Sequence, residues 1–216
     1  MVQIKICGIK TEDDLIKLIN HNITWAGFVF YEKSVRNVTI DQRNLFRISR
    51  NKIGRVALFV NPKDNFLETV VKTVRPDLIQ LHGSENTERC SDIKKRFGIP
   101  VMKALHINDQ SSFETVSKFE NFVDRLLFDA KLTKDKLKGK QTDTLNWNLM
   151  KNYKGNKEWM LAGGLNHNNI LEALKLSGAK SIDVSSGVEK KPGIKSELLL
   201  NNLINKIKKA YSNKLS

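Results

Sequence analysis

No stretch of this 216-residue chain approaches the roughly twenty consecutive apolar residues that a membrane-spanning helix needs. No basic-then-apolar leader opens it; strand-like alternation begins at the first residues. Cysteine is scarce. Cys7 and Cys90 are the only two, too far apart for a disulfide framework and without C-x-x-C metal spacing. No G-x-G-x-x-G follows the first strand pattern, and there is no zinc finger, helix-turn-helix signature or aromatic-basic RNA motif. These absences argue against a membrane partner and a nucleic-acid partner. They leave a soluble protein of a reducing, cytoplasmic setting as the expectation.

Charge of one sign is plentiful: the formal net charge is +14. The lysines are scattered, with local clusters at 131–140 and 205–214. Such an excess suits a solvated surface or the attraction of an anionic small substrate. With 40% hydrophobic residues and no low-complexity linker, residues 1–216 are expected to fold as a single domain.

Short apolar runs alternate with amphipathic stretches along the whole chain. Strands are expected at 2–7, 26–30, 55–60, 77–82, 100–105, 125–130, 159–164 and 181–186. Helical patterns occupy 12–20, 64–74, 85–97, 168–178 and 197–211. Thr11 reads as an N-cap ahead of an acidic first turn, as the helix dipole favours. Asn61-Pro62, Gly98-Ile99-Pro100 and Gly178 punctuate the ends. Eight such units predict an α/β fold with a parallel sheet, most economically a closed (β/α)8 barrel with short loops. An open doubly wound sheet is the alternative.

In such barrels the chemistry sits where strands end. Period-two alternation turns Gln3, Lys5 and Cys7 to the axis, against Val2, Ile4 and Ile6. It also groups Leu78, Gln80 and His82, sets Asp129 with Leu127, and sets Asp183 opposite Ile182 and Val184. Each residue alone has an ordinary explanation: a packed thiol, a histidine serving the backbone, a capping aspartate. Together Cys7, Gln80, His82, Asp129 and Asp183 converge on one rim. A thiolate takes a proton and a neutral carboxylic acid gives one, so Cys7 beside a carboxyl could form an acid–base pair. Lys5, one layer below, would favour the thiolate. Cys90 falls in the amphipathic pattern of a helix and reads as packing. After the last two strands come Gly163-Gly164 and Ser185-Ser186-Gly187. Small residues at these two positions predict a phosphate site, completed in such barrels by a short extra helix.

The segments 5–10 (KICGIK), 27–38 (GFVFYEKSVRNV), 78–85 (LIQLHGSE), 126–130 (LLFDA), 161–170 (LAGGLNHNNI) and 183–195 (DVSSGVEKKPGIK) resemble, in order and from end to end, phosphoribosylanthranilate isomerase of tryptophan biosynthesis. The resemblance implies a (β/α)8 barrel with no metal and no cofactor. It implies an Amadori rearrangement of N-(5′-phosphoribosyl)anthranilate to carboxyphenylamino-deoxyribulose phosphate. It assigns Cys7 as general base and Asp129 as general acid, and sets Arg36 against the anthranilate carboxylate. Gln80, His82 and Asp183 would line the substrate site. The partner is then a phosphorylated small molecule, and the protein a monomer or homodimer. The chain departs from the family where a glycine-rich stretch is common: 131–147 keeps Gly139 and Trp147 but not the glycine pair. Ser196 also stands where an aspartate is common. Two other functions share some features. The related aminoaldose isomerase of histidine biosynthesis resembles a two-aspartate design, whereas position 7 here is Cys. A barrel that only binds nucleic acid or another anion would need no acid–base pair.

Overall fold

The computed structural model describes residues 2–129 and 147–212. Eight parallel strands form a closed barrel in sequence order. They are β1 (Gln3–Cys7), β2 (Trp25–Phe30), β3 (Gly54–Phe59), β4 (Leu78–Leu81), β5 (Val101–His106), β6 (Arg125–Asp129), β7 (Glu158–Ala162) and β8 (Ser181–Val184). Closure comes from β1 pairing with β8, Lys5 lying opposite Asp183. That pairing excludes the open doubly wound sheet.

Helices cover the barrel: α1 (Glu12–Asn20), α2 (Arg43–Ser49), α3 (Asp64–Val74), α4 (Thr87–Phe97), α5 (Ser112–Phe119), α6 (Ile170–Ser177) and α7 (Glu197–Ser212). Local chemistry sets several ends. The Thr11 hydroxyl accepts from the Asp14 N–H at 3.1 Å, and the Asn86 side chain accepts from the Arg89 N–H at 2.9 Å. Gly98 and Gly178 close α4 and α6 in the left-handed conformation. The Ser196 hydroxyl accepts from the Leu199 N–H at 3.4 Å at the start of α7.

Three layers of side chains follow from the strand alternation. Ile4, Ile6, Phe28 and Phe128 face outward into the layer under the helices. Val56, Leu78, Met102, Leu127 and Met160 fill the barrel interior. Cys7, Val29 and Leu58 form a small apolar cluster at the C-terminal mouth. Cys90 is fully buried in the outer layer, as its helical pattern predicted.

The structure adds to and corrects the sequence reading. Helices α2 and α5 lie outside the helical patterns expected from sequence; their N-cap residues make no side-chain cap bond, although Asp109 accepts from the Ser112 N–H at 3.1 Å ahead of α5. Among the described residues, the segment between β6 and β7 holds a short 3-10 helix, Trp147–Asn152. Strand β7 stops at Ala162, because Gly163 and Gly164 take positive φ of 97° and 62°. No extra helix directly follows β8. A turn at 185–189 leads instead into an antiparallel hairpin, β9 (Glu189–Lys191) and β10 (Ile194–Lys195). The departure at 131–147 falls, apart from Trp147, outside the described residues.

Candidate active site

At the mouth of the barrel lies a cavity of about 490 Å³, with Cys7, Asp129, Asp183, His82 and Arg36 on its walls. Ala162, Gly163, Gly164, Ser185 and Ser186 form one side. Val29, Leu58, Val60 and Tyr31 give an apolar side. Of the five strand-end residues singled out from sequence, Cys7, His82, Asp129 and Asp183 line this cavity, and Gln80 does not.

Cys7 ends β1; Gly27 makes room for it, and Gly8 makes room for Arg36. Gly8 turns the chain at φ +82°; a Cβ there would lie 2.6 Å from Cδ of Arg36. A Cβ on Gly27 would come within 3.1 Å of the Cys7 sulfur. Burial pushes the thiol above its ordinary range; Lys5 and Lys195 pull against that, and Asp183 adds to it. Lys5 is fully buried, with Nζ 2.9 Å from Oδ1 of Asp183. Burial alone would push the Lys5 ammonium down. The charges of Asp183 and Cys7 outweigh that and hold it above its usual value. Asp183 thus serves Lys5 as well as facing the cavity.

Gln80 lies fully buried below the mouth, and its Nε2 sits 3.0 Å from Nδ1 of His82. With the amide nitrogen donating to Nδ1, the ring proton sits on Nε2, which faces Oδ2 of Asp129 at 3.6 Å. Gln80 therefore orients a cavity residue from one layer down. His106, at the end of β5, brings Nδ1 to 3.7 Å from the same carboxylate oxygen. Sequence reading passed over it, although it ends a strand as His82 nearly does.

The small-residue loops after β7 and β8 are tied together. Asn166 and Gly187 form a parallel bridge, and a Cβ on Gly187 would lie 1.9 Å from the Leu165 carbonyl oxygen. Gly187 so permits a close backbone approach, while Gly163, Gly164, Ser185 and Ser186 face the cavity. The Ser185 hydroxyl donates to the Cys7 carbonyl at 3.1 Å.

Arg36 stands over Gly8 and is gripped by Glu189. Its Nε and Nη2 donate to the two carboxylate oxygens at 2.8 and 2.6 Å. Glu189 and Lys195 are residues that sequence reading missed. The signal for them was Pro192-Gly193, a turn dipeptide between two short runs, with Gly193 at φ +80°. A second missed pair lies behind His82. Buried Lys103 and Glu85 meet at 3.0 Å, and Glu85 also accepts from the Asn61 and Gly83 N–H groups. Among the described residues, no group of three or more His, Cys, Asp or Glu could hold a metal ion. No helix among them is long and apolar enough to cross a membrane.

The family model for N-(5′-phosphoribosyl)anthranilate isomerase matches residues 4–206. The chain belongs to the phosphoribosylanthranilate isomerase family. The N-(5′-phosphoribosyl)anthranilate isomerase of Paramagnetospirillum magneticum is 43% identical over 196 residues, covering 90% of this chain and 91% of that one. The crystal structure of phosphoribosyl anthranilate isomerase from Thermotoga maritima superimposes with a TM-score of 0.86 at 31% identity. It covers 97% of this chain and 100% of its own. A phosphoribosyl anthranilate isomerase in complex with reduced 1-(o-carboxyphenylamino)-1-deoxyribulose 5-phosphate gives a TM-score of 0.83 at 30% identity, with coverage of 97% and 100%. As a phosphoribosylanthranilate isomerase of tryptophan biosynthesis, the chain is an isomerase on a (β/α)8 barrel.

Proposed function

We propose that this barrel isomerises N-(5′-phosphoribosyl)anthranilate with Cys7 as general base and Asp129 as general acid. The observation that carries the reading is that both side chains, from β1 and β6, line one cavity whose remaining walls suit the parts of this substrate.

Protonated Asp129 gives its proton to the ribose ring oxygen. The C1′–O bond breaks, the ring oxygen becomes a hydroxyl and the nitrogen an iminium. The Cys7 thiolate takes the C2′ proton, leaving an enolamine. That enolamine tautomerises by moving the C2′ hydroxyl proton to C1′, which yields the ketone, and the proton now on Cys7 returns through solvent to Asp129, so substrate and enzyme both balance. The two groups must be tuned in opposite senses. A buried thiol supplies a strong base once ionised, and the ammonium of Lys5 stabilises the ionised form. Arg36 presents a planar guanidinium to the anthranilate carboxylate, beside the apolar wall of Val29, Tyr31, Leu58 and Val60. Gly163, Gly164, Ser185 and Ser186 face the phosphate, with Gly187 bringing the two loops together. The ligand is a phosphorylated small molecule, to which the +14 net charge is attractive, rather than a nucleic acid. Two free thiols suit a reducing, cytoplasmic setting.

Purified protein with freshly made phosphoribosylanthranilate should extinguish anthranilate-ring fluorescence. Cys7→Ala and Asp129→Asn should each lower kcat by about a thousandfold, within the range of lost acid–base catalysis. Full turnover in either variant refutes the role given to that residue.

A further inference from the structure

A third cluster of charge sits just under the cavity rim, outside the acid–base pair. Hairpin β9–β10 carries Glu189 and Lys195, whose side chains are 3% and 4% exposed. The Lys195 ammonium donates to the Cys7 carbonyl at 2.5 Å, the Ser185 carbonyl at 3.1 Å and Oε1 of Glu189 at 2.9 Å. Burial pulls the Lys195 amine's value below its ordinary range while Glu189 and Cys7 act to hold it up, and three acceptors around one nitrogen suit the ammonium, with its three N–H bonds. It joins the end of β1, the loop after β8 and the hairpin at one atom. Glu189 in turn takes the Nε and Nη2 edge of Arg36 and the Gly193 N–H at 3.2 Å. A guanidinium has five N–H donors and two bidentate edges. With one edge on Glu189, the Nη1/Nη2 edge remains for a second carboxylate.

We propose that Lys195 and Glu189 are a positioning pair for this reaction: Lys195 fixes the general-base thiol and supplies positive charge beside it, and Glu189 fixes the Arg36 fork for a carboxylate-bearing substrate. The inference rests on the reading of Cys7 as the base and Arg36 as the carboxylate clamp. Neither residue touches the substrate in this scheme; each acts through another. The charged groups around the Cys7 thiol are Lys5 on its own strand, Asp183 on β8, Lys195 on β10, Arg36 in the loop after β2, and Asp129 and His82 across the cavity. Of the cations, Lys195 is the one anchored to the Cys7 backbone. Removing its charge disfavours the thiolate, so the thiol ionises at higher pH.

Two measurements on the full-length protein test the pair without relying on turnover. Alkylation of Cys7 by iodoacetamide, followed by mass on the Cys7 peptide, gives the thiol's ionisation profile. In Lys195→Gln, which keeps an N–H donor but no charge, the profile should move alkaline by about one pH unit, or about tenfold less alkylation at a given pH. Lys195→Arg, which keeps the charge, should stay close to wild type. If Lys195→Gln does not fold, Lys195→Met is read in the same way. An unmoved or acid-shifted profile in the uncharged variant, or an equal shift in the Arg variant, overturns the role of Lys195. For Glu189→Gln, binding of the reduced aminoketose product analogue should weaken about tenfold. Its decarboxylated counterpart should change by less than about twofold, because it makes no demand on the Arg36 fork. Equal weakening of both analogues overturns the role of Glu189. Absence of isomerase activity in the wild type refutes the proposed function and is seen separately from either result.

Discussion

Glu189→Gln should strip the protein of part of its resistance to acid. Burial pushes the Glu189 carboxyl up. The hydrogen bonds from Arg36 and Lys195 more than offset this and hold it at about 2, against an ordinary 4.5. A carboxyl with a folded value below its unfolded one stabilises the fold above the unfolded value. That contribution drains away as pH falls through the folded one, so the window runs from 4.5 down to about 2. At about 1.4 kcal/mol per pH unit, the unscreened contribution at neutral pH is about 3 kcal/mol. Arg36 is 25% exposed and water reaches the cluster from the cavity, so we halve it, to about 1.5–2 kcal/mol. Of that, about 1 kcal/mol is lost between pH 6 and pH 3. Urea unfolding of wild type and Glu189→Gln at pH 6, 5, 4 and 3 isolates the effect, since every other carboxylate titrates in both proteins. The stability gap between them should narrow by about 1 kcal/mol on going to pH 3. A gap that stays constant or widens with acid refutes the reasoning.

Two further outcomes follow from packing. Lys103→Met leaves Glu85 buried without its cation and should destabilise by about 3–5 kcal/mol in denaturant unfolding. Restoring neutrality with Glu85→Gln should recover part of it, and a loss below about 1 kcal/mol contradicts the pair's structural role. Gly187→Ala drives a Cβ into the Leu165 carbonyl, which is backbone and cannot swing away. The two small-residue loops must separate, so KM should rise about tenfold or more with a smaller change in kcat. An unchanged KM in steady-state kinetics would show that Gly187 does not hold the phosphate loops.

The chain's own pattern determined a good deal. Short apolar runs between amphipathic stretches located all eight strands to within two residues. Period-two alternation then turned Lys5 and Cys7 inward and sorted Gln80, Asp129 and Asp183 by face, because each strand's two faces meet different surroundings. Thr11 marked a helix start through a bond its side chain makes with a near neighbour, whereas Asn86, which caps α4 in the same way, was passed over. Helices α3 and α6 lack a side-chain bond at the N-cap, as α2 and α5 do, yet their apolar periodicity made them legible where α2 and α5 were passed over. The glycine loops after β7 and β8 were legible as places where backbone must approach something closely.

What stayed hidden depends on barrel closure. Local periodicity says which face a residue takes, but not which distant residue stands opposite. Lys5 meets Asp183 only because β1 pairs with β8. Arg36 meets Glu189 across 153 positions only because the hairpin after β8 folds back beside the loop after β2. His106 became a neighbour of Asp129 through the β5–β6 register, which sets the two residues side by side. Cys7 was a thiol at a strand end by sequence alone. That Lys195 holds its carbonyl, and that burial and charge contend over its proton, were decided by the tertiary structure, since only that structure brings buried charges within a few ångströms of each other and away from water.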